Sequence, residues 1–379
     1  MPPARTRQPF HLGAHAVRTT NSAFSDPEIC SALLRRIHAE LNAPMRFMEL
    51  CGTHTAVVYR DGLHSLLPET LTHISGPGCP VCVTHDREIA ACLESAGKDG
   101  VITACFGDMM RIPGPGGMTL GKAGAAGAEV KVVYSPLDAL RLAEAHPDRT
   151  VVFLGVGFET TAPATAATVL RAAAQGVDNF ALFSMHKRIP PALEALLAEE
   201  AGGGIDAFLL PGHVSVVIGT APYRFIAEKY GRPGVVGGFE PADILLALLC
   251  LIRMRRAGRA EVLNCYGRAV DAGGNARARA LIDAVFEPAD ALWRGLGCIP
   301  RSGLVLRGEY ERFDARARLV PDLPDVPENP ACRCGDVLRG RIAPRNCPLF
   351  GKQCSPANPT GPCMVSTEGS CAAAFRYDA

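Results

Sequence analysis

From about Asp26 to Tyr310, short unbroken apolar runs alternate with amphipathic stretches, and this alternation leaves few folds open. "MRFMELCG", "GVITACFGD", "EVKVVYS", "TVVFLGVGF", "NFALFSM", "AFLLPGH" and "GVVGGF" read as strands. Helix-like sequence such as "ATAATVLRAAAQG" or "IPPALEALLAEEAG" follows them. Strands that are apolar throughout, rather than at every second residue, are buried on both faces, so the pattern predicts parallel sheets covered by helices. "PEICSALLRRIHAEL" is a predicted helix capped by Ser25 or Asp26, and "EIAACLESAG" is one closed by Gly97. The glycine-rich stretch from Ile112 to Glu129 is the natural break, predicting two α/β lobes over 1–125 and 126–320. In such sheets function collects beyond the carboxyl ends of strands. "CGTHT", "FGDMM", "GFETT" and "PGHVS" all stand there.

The end of the chain differs in kind. Residues 321–379 hold nine prolines, six cysteines and few aliphatics, too little to build an ordinary core. Several thiolates on one inorganic centre would hold such a segment instead. The N-terminal 22 residues lack a continuous apolar stretch, so they read as a partly disordered lead-in and not as a secretory signal. The expected location is therefore the cytoplasm, where fifteen cysteines argue for metal or redox work over a disulfide scaffold. The longest apolar run, Ile244 to Ile252, is far short of the roughly 20 residues that span a bilayer. A net charge of +1 provides no field for a polyanion, which argues against nucleic acid as the main partner.

The tail cysteines are Cys332, Cys334, Cys347, Cys354, Cys363 and Cys371. Zinc sites usually draw on two close Cys-x2-4-Cys pairs, whereas these are widely spaced singles on Pro/Gly-rich loops. That spacing suits a 4Fe–4S cluster better than zinc or structural disulfides. Upstream, "SGPGCPVC" braces Cys79 and Cys82 with Gly76, Pro77, Gly78 and Pro80. A proline-stiffened Cys-x-x-Cys is a redox dithiol or half of a metal site. In "ELCGTHT", Cys51 and His54 put a thiolate and an imidazole on one loop, a donor pair suited to iron or zinc. Glu159, in "GFETTAP", reads either as a functional carboxylate or as a cap at a helix start. His213, in "PGHVS", is a ligand or a structural residue. Cys30, Cys92, Cys105, Cys250, Cys265 and Cys298 read as small buried hydrophobes.

Taken together, "CGTHT", "GPGCPVC", "GFETTAP", "PGHVS" and a tail containing "EGSCAAAFRY" closely resemble the HypD family of hydrogenase maturation factors, from about Phe47 to Tyr377. The resemblance implies two α/β lobes around a cleft plus a small Cys-rich iron–sulfur domain over 321–379. It implies a complex with a small HypC-type chaperone, on which the Fe(CN)2CO group of nickel–iron hydrogenases is assembled with cyanide from a HypE-type partner. The hydrogenase large subunit would be reached indirectly. The family's Cys-x14-Cys-x6-Cys-x16-Cys pattern falls on Cys332, Cys347, Cys354 and Cys371, leaving Cys334 and Cys363 as extras close enough to substitute. Cys51 and His54 become candidate ligands of the single iron, with Cys79 and Cys82 either passing electrons or protons to it or helping to hold it. Such a protein is an assembly scaffold with a redox role more than a turnover enzyme. The rival expectation is a cluster-linked, thioredoxin-like disulfide oxidoreductase.

Overall fold

The computed structural model describes residues 24–199 and 204–377, so the expected N-terminal lead-in lies outside the described residues. Eleven strands are present among these: β1 (Met45–Glu49), β2 (Leu71–Ser75), β3 (Val101–Cys105), β4 (Glu129–Val132), β5 (Thr150–Gly157), β6 (Phe180–His186), β7 (Ala207–Pro211), β8 (Gly234–Gly237), β9 (Val262–Asn264), β10 (Phe286–Trp293) and β11 (Gly297–Leu306). They form two parallel sheets, ordered β2-β1-β7-β8-β9 and β4-β3-β5-β6, and one antiparallel hairpin, β10-β11. The predicted α/β class with parallel sheets is thus what the chain adopts.

The expected division at 125/126 does not follow these sheets. β3 and β4 lie on either side of it and pair directly, Ile102 opposite Glu129. The first sheet takes its strands from both ends of the α/β region, because the chain leaves it after β2 and returns at β7. Continuity of sequence and continuity of sheet part company wherever a crossover returns to an earlier layer.

Side-chain alternation along each strand feeds two cores at once. On the first sheet Phe47, Leu209 and Val235 face the helices Pro27–Glu40 and Pro241–Arg256, burying the run Ile244 to Ile252. Their neighbours Met48, Phe208, Leu210 and Val236 face the opposite way, against the helix Ile189–Glu199. On the second sheet Ile102, Phe153 and Leu182 pack under the helices Pro136–Ala145 and Ala162–Gln175. Val152, Leu154 and Phe183 pack under the helix Asp86–Ala96. The first helix begins where expected: Asp26 accepts from the amides of Glu28 (2.8 Å) and Ile29 (3.4 Å).

The tail is built from short turns and the helices Cys334–Leu338 and Ser370–Tyr377. Polar anchors tie it to the rest of the chain. Arg46 donates to the carbonyl of Gly340 (2.6 Å), Arg111 to that of Val365 (3.0 Å), and Arg339 to Glu199 (2.8 Å). Among the described residues no helix is long and apolar enough to cross a membrane.

Candidate functional site

The loop after β1 is where the sequence motifs meet. Cys51 is extended and caps the helix Gly52–Arg60, so the chain turns from strand to helix at the thiol itself. The glycines of "SGPGCPVC" lie directly on this turn. A Cβ on Gly78 would stand 2.2 Å from the Cys51 nitrogen, and one on Gly76 would stand 2.7 Å from the Glu49 carbonyl. The amide of Gly52 donates to the carbonyl of Gly78 (2.9 Å), and that of Gly76 to Glu49 (2.9 Å). The glycine frame thus brings Cys79 within one residue of a backbone contact with Cys51, which a side chain would prevent.

From the other side the tail closes over the same turn. A Cβ on Gly52 would meet the Glu368 Cβ at 2.5 Å, and Thr53 donates to Glu368 (2.8 Å). Ser370 and Ser75 share a hydrogen bond of 2.7 Å, and Ser75 and Thr55 one of 2.9 Å. Thr55 in turn donates to the fully buried Glu49. A polar chain therefore runs from the strand end of β1 to the tail segment that carries Cys371.

Burial pushes the Cys51 thiol up to about 12, with the charges of Glu368 and Glu49 adding to it against the amides of His54 and Thr53. In this buried, acid-flanked setting the sulfur is a protonated thiol until a cation arrives to take its charge. His54 is fully buried, and burial lowers its pKa, keeping the ring neutral. Its Nε2 lies 2.8 Å from the Gly238 carbonyl and so carries the proton. Nδ1 is left with its lone pair and no hydrogen-bond partner. A buried imidazole nitrogen without a partner suits a metal ligand. The His54 ring stacks on Phe239 (4.8 Å), and Phe239 stacks on His213 (3.8 Å). His213 itself is exposed.

Cys79 and Cys82 form a disulfide, almost wholly buried. They pack against Cys334 and Cys363, and Cys332 and Cys371 join this cluster from its edge. Cys332 and Cys371 also adjoin a second cluster with Cys347, Cys354, Leu349 and Met364. All six tail cysteines line one pocket, together with Arg294, Val337, Phe350 and Gly361. The Cys332 thiol is held down by a hydrogen bond from Cys334, reinforced by the Arg294 charge, while Cys334 is pushed up. Burial pushes Cys363 up to about 12 and Cys371 well above its ordinary value.

Among the described residues no three histidine, cysteine, aspartate or glutamate side chains are arranged as a ready site for one metal ion. The tail sulfurs surround a volume, which is what a cubane requires, since its four ligands attach at separate corners. The donor set fits such a group: soft thiols, apolar walls and one buried cation.

Glu159 has a different neighbourhood from the one expected. Its own helix, Ala162–Gln175, is capped by Thr161 without a side-chain bond. Glu159 instead accepts from the amide of Ile189 (3.1 and 3.3 Å), the first residue of the helix Ile189–Glu199. Burial pushes its carboxyl up to about 7, against the opposing effect of Arg188. Of the cysteines read as buried hydrophobes, Cys92 and Cys105 are buried and Cys30, Cys250 and Cys265 are half-buried. Cys298 corrects the expectation: it is exposed, on the solvent side of the β10-β11 hairpin. Two site residues had no sequence signal of their own. Arg294 follows the chain's single tryptophan in an unremarkable "LWRGLG", and Glu368 is one glutamate within the tail motif.

Residues 28–378 match the family described as "HypD: Hydrogenase formation hypA family". The chain is 49% identical over 335 residues to the hydrogenase maturation factor HypD of Escherichia coli (strain K12), an alignment covering 88% of this chain and 89% of the relative. It is 45% identical over 362 residues to HypD2 of Bradyrhizobium diazoefficiens, covering 93% and 95%. With HypD of Cupriavidus necator the identity is also 45% over 362 residues, covering 93% and 96%.

Proposed function

The chain belongs to the HypD family of hydrogenase maturation factors and has a role in hydrogenase maturation, and from this premise we propose that it is the scaffold on which iron is held while cyanide and carbon monoxide are attached. In this reading the iron is cargo, bound by Cys51 and by Nδ1 of His54. The remaining donors come from a HypC-type chaperone. A HypE-type partner delivers cyanide, and the finished Fe(CN)2CO group passes on toward the hydrogenase large subunit in the cytoplasm. Cys332, Cys347, Cys354 and Cys371 would hold a resident 4Fe–4S cluster, which supplies single electrons when bound. The division of the tail sulfurs supports that set: these four adjoin Leu349 and Met364, Cys332 and Cys371 while also touching the disulfide cluster, whereas Cys334 and Cys363 belong to the disulfide cluster alone.

The observation that carries the proposal is the backbone contact between Gly78 and Cys51, which sets the disulfide loop against the thiol that would hold iron. The chain's own residues then have distinct tasks. Cys51 gives up its proton as the cation binds, its raised affinity for that proton making loading dependent on a real metal charge. Gly238 fixes the His54 tautomer that leaves Nδ1 available. Glu368 and Thr53 close the turn from the tail side. Glu159 fixes the start of a helix whose apolar face packs in the same core as Met48 and Leu50.

Infrared spectra of the anaerobically purified complex with a HypC-type chaperone test this. Cys51→Ala should lose the cyanide and carbonyl bands while the visible absorbance of the tail cluster stays. Unchanged bands in that variant would refute the assignment. The position of the disulfide beside the cysteine pocket also keeps the oxidoreductase reading in view. Repeated turnover on unrelated protein disulfides, by a chain that purifies without mononuclear iron, would favour it.

A further inference from the structure

Arg294 occupies a position that neither the family motifs nor the packing explains. It is 2% exposed, follows β10, and reaches two functional elements at once. Its amide donates to the carbonyl of Val83 (2.9 Å), the residue after Cys82, and Thr84 bridges to Trp293 beside it. Its guanidinium pairs with Asp86, at the first turn of the helix Asp86–Ala96. The same guanidinium is the one charged group among the residues lining the cysteine pocket. Nε has no hydrogen-bond partner although it is buried. Gly361 leaves it room: a Cβ there would press on Nη2 at 3.1 Å and on Nε at 3.6 Å.

A buried ion pair serving only the fold should satisfy its donors, since an orphaned one loses its hydration with nothing in return. Here one N–H is held without a partner at the edge of a cavity lined by thiols. A cubane with four thiolates carries net negative charge, and each electron it accepts adds another in surroundings of low dielectric. A fixed cation at the wall stabilises the reduced form more than the oxidised one. We propose that Arg294 is the built-in counter-cation and hydrogen-bond donor of the group in the cysteine pocket, setting the potential at which it accepts an electron beside the Cys79–Cys82 disulfide. Arg294 is a positioning residue in this sense, and the inference rests on the reading of the pocket as a cluster site.

The test is a reductive titration, followed by electron paramagnetic resonance, of the full chain with its cluster reconstituted from iron and sulfide. Arg294→Gln removes the cation and should lower the midpoint, shifting the reduced-to-oxidised ratio at fixed potential at least tenfold, or about 59 mV for one electron. Arg294→Lys keeps the charge and should lie nearer the unaltered chain. Asp86→Asn removes the carboxylate that offsets Arg294, so its shift should have the opposite sign. Asp86→Asn also keeps the proposal testable if Arg294→Gln does not fold. Shifts of opposite sign cannot come from a merely structural pair. Reduced-to-oxidised ratios at fixed potential that stay within twofold of the unaltered chain in both Arg294→Gln and Asp86→Asn would overturn the inference while leaving the cluster reading intact. A chain that assembles no cluster at all would overturn both.

Discussion

Gly78 shows how one residue type can decide whether the motifs meet. Its missing Cβ is what lets "GPGC" lie on the Cys51 backbone, so Gly78→Ala should cost about 1–3 kcal/mol by overpacking. Gly267→Ala, where a Cβ meets nothing within 4 Å, should stay within about 0.5 kcal/mol; denaturant unfolding of the two variants checks the contrast. Glu159 gives a pH signature. A carboxyl held above its unfolded value favours the folded state fully below about 4.5, and that contribution is lost as pH rises to about 7. Relative to the unaltered chain, Glu159→Gln should remove a fall in stability of about 3 kcal/mol across that window, seen in urea midpoints against pH. The need for glycines around Cys79 was legible in the sequence, because only a close backbone approach explains such a frame. The role of Arg294 was not, because its meaning depends on a pocket assembled from residues 332–371.

At the level of elements, the regular strands were readable and the exceptions have physical reasons. β2 ("LTHIS") carries Thr72 and His73, so it lacks the continuous apolar signal of its neighbour β1, although Leu71 and Ile74 are buried. β9 has three residues, too few to show a period. β10 contains Pro288, which removes a ladder donor, and the pairing shifts register between Ala289 and Ala291. Such a strand does not read as one until its partner is known. The tail behaved as its composition required: few aliphatics, many turns, and sulfur where a core would be. Its fold should therefore depend on what the thiols hold. Cys354→Ala is expected to lose the cluster absorbance and to increase amide exchange over the helix Ser370–Tyr377, with the two sheets unaffected. Undiminished absorbance would count against the assignment.

Across the whole molecule, the chain leaves its first sheet, builds the second, and comes back, and this return is what local pattern could not reveal. The loops named from the sequence nevertheless stand at strand ends, because parallel strands place all their carboxyl ends on one side of a sheet. Cys51 follows β1, His213 follows β7 and Phe239 follows β8, three adjacent strands of the first sheet. We propose that this chain keeps two kinds of iron apart, a cubane in the tail and a single cargo iron at Cys51. Mössbauer spectroscopy of the chain purified anaerobically on isotope-enriched iron, with a HypC-type chaperone added, tests that most directly. The expected spectrum has a cubane component and a separate low-spin mononuclear one, only the latter disappearing in Cys51→Ala. A single iron component, or zinc in place of the cubane, would contradict the account.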